Sequence, residues 1–171
     1  MTSSRRFPFL AVALTLSALS VRTFAQPATA LPSPEKFFGF RMGADRKLAN
    51  WDKLHEYYQT LAKSSNRVKL VEVGKSSEGR PYIALFISSP ANLAKLESIR
   101  AINAKLADPR GLSAAESEKL IAEGKAVIVQ TFALHSSEVA AAQTAAEFVY
   151  DSLTRTDEDG MRALDLSLIH I

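Results

Sequence analysis

The sequence predicts an α/β or α+β fold. Three observations predict it. Tyr82-Ile83-Ala84-Leu85-Phe86-Ile87 and Ala126-Val127-Ile128-Val129-Gln130-Thr131-Phe132 are short apolar runs between turn signals, the mark of buried strands. Apolar residues recur at helical spacing in several separate stretches between and beyond them. The 126–132 run leads, after one short loop, into an Ala-rich helical stretch, which makes at least one strand-to-helix unit.

Each element follows from a local pattern. Asn50 can cap a helix, and Trp51, Leu54, Tyr58 and Leu61 then fall on one face. Ser64-Ser65-Asn66 ends it. Residues 67–73 alternate imperfectly and read as a strand. Gly74 to Pro81 is a turn-rich connection, so 67–73 and 82–87 read as a hairpin or neighbouring pair. Leu93, Leu96, Ile99, Ile102 and Leu106 predict one helix over 91–106, stopped by Pro109 and Gly111. Ser113-Ala114-Ala115-Glu116 is a capping box that opens a helix to about Glu123, with Gly124 placed to end it. Val139, Ala142, Ala146, Val149 and Leu153 line one side of a helix over 137–153. Phe37, Phe38, Phe40, Trp51, Tyr57 and Tyr58 are expected in the core rather than on a stacking platform.

The two ends are set apart from the fold. Residues 1–25 have the shape of an export signal: Arg5 and Arg6, a 13-residue apolar stretch from Phe7 to Leu19, then a small-x-small site at Thr23-Phe24-Ala25, with Ala28-Thr29-Ala30 as a second candidate. The stretch is short of the ~20 residues a membrane span needs, so no stable membrane anchor is expected after cleavage. The chain is then exported, periplasmic or secreted. Pro8 stands where a twin-arginine signal wants an apolar side chain, which favours the general secretory route. Residues 26–36 are rich in Pro and Ala and read as a linker. Residues 166–171, Leu166-Ser167-Leu168-Ile169-His170-Ile171, look like the translation of a sequencing adaptor, and His170 is not counted as a ligand. Residues 37–165 are left as the domain.

Composition bounds the chemistry. The chain has 171 residues, 47% of them apolar and 23% charged, with 21 Lys+Arg, 18 Asp+Glu, 3 His and no Cys. Those fractions suit an ordinary globular protein. The missing cysteines exclude disulfides, thiolate metal ligands and a thiol nucleophile. Removing residues 1–25 takes away Arg5, Arg6 and Arg22 and no acids, leaving 18 basic against 18 acidic residues. The electrostatic case for a nucleic-acid partner goes with the signal.

One constellation can carry chemistry. His135-Ser136-Ser137-Glu138 lies between the 126–132 strand and the helix that follows. Ligands collect beyond the carboxyl ends of strands in open α/β sheets. A carboxylate in the first helical turn is favoured by the helix dipole. Imidazole plus carboxylate suits Zn²⁺, and a catalytic zinc takes three protein ligands and a water. A polar loop His with Glu138 merely capping the helix is the simpler alternative. Gly74–Gly79 followed by Arg80-Pro81 lacks the Lys-Ser/Thr and the helix of a phosphate loop. No Gly-x-Ser-x-Gly elbow occurs, Ser136 and Ser137 have no base other than His135, and His55 beside Glu56 reads as a surface residue.

Taken together, the segments resemble the zinc metallocarboxypeptidases of the carboxypeptidase A type over residues 37–165. The specific parts are Glu78-Gly79-Arg80-Pro81 leading into a strand, and later a strand leading into His135-Ser136-Ser137-Glu138. Gly39–Lys47 and Ala107–Ser113 are similar to a subgroup of large exported bacterial members. The resemblance implies a metallocarboxypeptidase-like α/β fold, a mixed sheet with flanking helices, incomplete at the C-terminus. It implies His135 and Glu138 as two zinc ligands, Zn²⁺ as cofactor, the C-terminus of a peptide or protein as substrate, and metal-activated hydrolysis of C-terminal peptide bonds. It also implies a third ligand, a Glu base and substrate-gripping groups beyond this chain's end, so no catalytic residue is assigned here. The 171 residues alone are then expected to be inactive and unstable, because the strands at 82–87 and 126–132 would lack partners. Two departures stand out: Ser137 where many members carry Arg, and a long stretch from Pro90 to Lys125. Ser137 and the ligands missing from this chain leave a non-catalytic carboxypeptidase-like binding module as one alternative; an unrelated exported α/β domain, with His135 and Glu138 incidental, is another.

Overall fold

A computed structural model describes residues 30–132, 134–135 and 137–170. The assignments made for residues 1–25 lie outside them. Helix α1 (Pro34–Phe38) is short and fully capped: the Ser33 hydroxyl accepts from the Lys36 amide, Pro34 occupies the first turn, and Gly39 closes it at φ 77°. The 26–36 stretch is therefore no free linker over its second half. Pro34 is fully buried and the Tyr57 hydroxyl donates to the Pro32 carbonyl at 3.0 Å. Ser33-Pro34 is a helix-start signal hidden by the Pro/Ala bias around it.

Helix α2 (Trp51–Ser64) starts where expected, with the Asn50 side chain accepting from the Lys53 amide at 3.0 Å. Strands β1 (Val68–Lys75) and β2 (Pro81–Ile87) form the expected antiparallel hairpin, with an irregularity between Glu72 and Gly74. The turn between them is closed by Ser76 and Arg80, whose main chains bond at 2.9 Å, and by Gly79 at φ 76°.

The single helix expected over 91–106 is two: α3 (Pro90–Leu93) and α4 (Leu96–Ala107). The break has a physical cause. Asn92 is buried and its amide group donates to the Ser88 hydroxyl and to the Leu164 and Asp165 carbonyls at 2.9–3.2 Å. That knot ties the first turn to Leu164 and Asp165. Helix α5 (Ala114–Glu123) has both halves of its capping box: the Ser113 hydroxyl accepts from the Glu116 amide, and the Glu116 carboxylate accepts from the Ser113 amide at 2.9 Å.

Strand β3 is shorter than expected, Ala126–Val129, and it is not buried: all four residues are exposed. Helix α6 (Val139–Thr154) and helix α7 (Glu158–Leu166) follow. Helix α7 had no sequence expectation. Asp157 caps it, accepting from the Gly160 amide at 2.9 Å while clamped by Arg155 at 2.7 Å.

Strand β4 (Ser167–His170) lies inside the six residues set apart as foreign to the fold. It pairs antiparallel with β2 at Phe86 and Ile87, and parallel with β3 along its length. The sheet order is β1-β2-β4-β3, a mixed sheet with flanking helices, as expected. These residues fit that place because alternate apolar side chains suit a pleated, half-buried surface, and Leu168 is 3% exposed. Leu168→Ala is expected to cost about 2–3 kcal/mol, read as a lowered midpoint in urea unfolding. A cost near zero would place β4 outside the cooperative unit.

The core lies between the hairpin and helices α1, α2, α6 and α7. Its centre is Tyr57, Leu61, Leu85, Ile87 and Val149. Phe37, Phe38, Phe40 and Trp51 pack against it, so the aromatics are core residues, as expected. The last polar link is Gln143 on α6, buried, which exchanges two hydrogen bonds with the Ala49 main chain at 3.0 and 3.2 Å. It ties the start of α2 to α6.

Candidate metal centre

The junction of β3 and α6 brings His135 and Glu138 together. The chain leaves the sheet at Val129, crosses a loop and turns at His135, where the Glu138 amide donates to the His135 carbonyl at 3.1 Å. Glu138 is the residue before the helix rather than part of its first turn, and its side chain makes no capping bond. The carboxylate turns back instead. One oxygen accepts from the His135 amide at 3.2 Å and the other lies 2.8 Å from His135 Nδ1. The alternative in which Glu138 only caps the helix therefore does not describe this turn.

Both side chains are exposed, His135 at 66% and Glu138 at 49%, so incoming groups can reach them. The Glu138 carboxyl is held below its ordinary value of 4.5, first by the hydrogen bond from the His135 side chain and then by the one from its amide. A depressed carboxyl pKa stabilises the turn above the ordinary Glu range, and that contribution is lost as pH falls through the lowered value. The expected result is that the Glu138 side-chain carbon shifts titrate below the ordinary Glu range and that His135→Ala brings the titration back toward it. A titration unchanged in the variant would mean that the two groups do not touch.

The 2.8 Å contact is a hydrogen bond between the imidazole and the carboxylate; imidazole nitrogen and carboxylate oxygen are both donor types that zinc accepts once that proton is lost. The residues present thus fit two positions of such a site. Among the described residues no group of three or more His, Cys, Asp or Glu could hold a metal. His55 is half-buried and stacked on the Trp51 ring at 6.0 Å, rather than a free surface residue, and joins no donor set. Ser137 is exposed, and Ser136 lies outside the described residues. The side chain of His170 is likewise outside them; its main chain serves β4. Glu78-Gly79-Arg80 forms the exposed hairpin turn, with Arg80 and Glu78 paired at 3.2 Å.

The Gln143 bridge to Ala49 had no sequence signal, because a buried Gln on an Ala-rich helix looks like a solvent-facing residue. It fixes α6, and α6 positions Glu138.

The family model of zinc carboxypeptidases matches residues 54–171, more than half of the chain, and the chain belongs to that family. No curated protein and no solved structure matches it.

Proposed function

We propose that this chain contributes to a zinc carboxypeptidase that removes C-terminal residues from peptides or proteins, with His135 and Glu138 as two of its zinc ligands. The observation that carries this reading is the turned-back Glu138 carboxylate, which puts its oxygen beside His135 Nδ1 at 2.8 Å in a chain of this family. A bound zinc would polarise a scissile carbonyl and lower the pKa of a coordinated water. The chain's own residues do the holding. The His135–Glu138 turn offers one imidazole nitrogen and one carboxylate, and the hydrogen bonds from the His135 ring and amide lower the pKa of that carboxylate. Two donors are one short of a catalytic set, so the third ligand and the general base are to be sought outside the described residues. Export by an amino-terminal signal, action on substrate outside the cytoplasm, no nucleic-acid partner and no lasting membrane anchor complete the proposal; the signal-like residues 1–25 and the balanced charge after them support it.

Cobalt substitution tests the ligands. The full-length protein titrated with Co²⁺ is expected to show a visible band that Glu138→Ala and His135→Ala each weaken at least tenfold in affinity. Unchanged cobalt binding in both variants would remove these residues from the centre. The non-catalytic alternative rests on Ser137, and hydrolysis of a C-terminal peptide bond by the full-length protein would rule it out.

A further inference from the structure

Between β2 and β3 the chain makes an excursion through α3, α4 and α5, and its tip joins α4 to α5. Ala107 to Gly111 at that tip are all exposed, and the Arg110 side chain is 88% exposed. A turn closes the tip: the Leu112 amide donates to the Pro109 carbonyl at 3.0 Å, and Gly111 sits at φ 87°. Arg110 pairs with Asp108 at 2.6 Å, but an exposed pair of this kind resists little.

The arm after the tip is weakly held. Among the described residues α5 packs chiefly against α4 and buries none of its own ten residues. Its end is fastened where the Asn103 amide group of α4 donates to the Lys125 carbonyl at 3.1 Å. Ten residues are fewer than the roughly 12–15 that an isolated helix needs in water. Such a segment opens locally far more easily than the whole domain unfolds. Other exposed cations lack this freedom. Arg46 lies in a loop that runs into Ala49, which is buried and bonded twice to Gln143. Arg80 closes a hairpin whose two strands are paired up to the turn. Arg155 is tied by its carbonyl to Arg67 and by its side chain to Asp157.

We propose that the Arg110–Gly111 bond is a processing site for a trypsin-like serine protease, and that the cut yields a two-chain form that stays assembled. Such a protease takes an arginine side chain into an acidic pocket, and nicking concentrates at exposed loop tips. Pro109 fixes the backbone before the arginine, and Gly111 puts no side chain after it. Hydrolysis adds water across the amide and leaves a carboxylate on Arg110 and an amine on Gly111. The pieces stay joined because the core spans the cut. Tyr57, Leu61 and Ile87 come from before it and Val149 from after it. Gln143 holds Ala49, and Asn92 holds Leu164 and Asp165, across the same cut. This site does not depend on the zinc reading, because it uses neither His135 nor Glu138.

The test is limited trypsin digestion of the full-length protein, read by mass spectrometry. Among the bonds that follow the described Lys and Arg residues, the one after Arg110 is expected to be cut first. The two pieces are expected to co-elute in gel filtration and to separate in urea. Arg110→Gln is expected to abolish that cut and to leave the urea midpoint unchanged. Ser113→Ala removes the cap of α5 and is expected to speed the cut about fivefold, the change that a lost N-cap brings to local opening, again at an unchanged midpoint. A first cut after any other described cation would overturn the proposal, and so would no cut short of global unfolding. Pieces that part without denaturant would overturn the assembled two-chain form. A rate that Ser113→Ala leaves unchanged would show that α5 does not open to admit the protease, and would overturn it as well.

Discussion

Tyr57→Ala is expected to destabilise the protein by about 4 kcal/mol. Tyr57 has no exposed surface, and its ring is the meeting point of the amino-terminal segment and the core. Phe37 and Phe38 lie 4.9 and 5.2 Å away and Tyr58 lies 6.1 Å away, ring centre to ring centre. Helix α1 has five residues and cannot hold itself in water, where isolated helices need roughly 12–15. Docking on Tyr57 is what keeps it. Tyr57→Phe retains the ring and loses only the bond to the Pro32 carbonyl, so its cost is expected near 1 kcal/mol. Urea unfolding of the two variants separates these terms. Equal losses would show that the hydroxyl, rather than the ring packing, carries the contact.

The same burial has a pH signature. Burial pushes the Tyr57 and Tyr58 phenols well above their ordinary value of 10, and for Tyr57 the nearby Tyr150 and Glu147 add to it. A raised phenol pKa means that the folded state keeps its proton longer than the unfolded chain. The contribution is complete below pH 10 and is lost as pH rises from there toward the raised values. Unfolding midpoints measured through this alkaline range are expected to fall, and Tyr57→Phe is expected to flatten the fall.

Local signals made much of the fold legible. Asn50 and Ser113 start α2 and α5 because each offers an oxygen to amides that have no helical partner. The β1–β2 hairpin was readable from two apolar runs around a Gly-rich turn. Other features depend on tertiary contacts and left little trace. The 91–106 periodicity is continuous, yet Asn92 breaks it because three acceptors far along the chain or before it claim its amide group. Helix α7 is short, and only Gly160 and Leu164 are buried on it, too few apolar positions to show a period. The apolar run at 126–132 suggested burial, but burial is a property of neighbours, and among the described residues β3 pairs with β4 alone.

The site divides in the same way. His135 and Glu138 were legible as candidates because a strand end and a helix start bracket them. Their contact was not, since a Glu at that position is as well suited to the helix dipole as to its neighbour. The backbone turn that aims the carboxylate at His135 decides between these, and a turn without Gly or Pro leaves no mark on the sequence.

Asn92→Leu is the second change expected to act strongly, at about 3 kcal/mol. Leucine keeps the branched skeleton of asparagine, is larger, and supplies no donor. The Leu164 carbonyl receives the Ser89 amide at 3.0 Å, the Ser88 hydroxyl at 2.8 Å and the Asn92 amide group at 3.2 Å. The Asp165 carbonyl receives Asn92 at 2.9 Å. These are end-of-helix acceptors, which α7 itself cannot satisfy. Ser88 cannot replace Asn92, because one hydroxyl proton already faces two acceptors, Leu164 and Ser167, at 2.8 and 2.6 Å. Losing Asn92 therefore takes a donor from the Leu164 carbonyl and from the part-buried Asp165 carbonyl at the point where α7 hands over to β4. The damage should be local in its sign: hydrogen exchange is expected to speed up first in Ser167–His170 and only later in the β1–β2 hairpin. Exchange that speeds up equally in both would mean that the knot stabilises the whole domain evenly and does not anchor β4 in the sheet. Ser88→Ala separates the two roles, since it removes the hydroxyl from both Leu164 and Ser167 while leaving Asn92 its two carbonyls, and it is expected to cost about 1–2 kcal/mol.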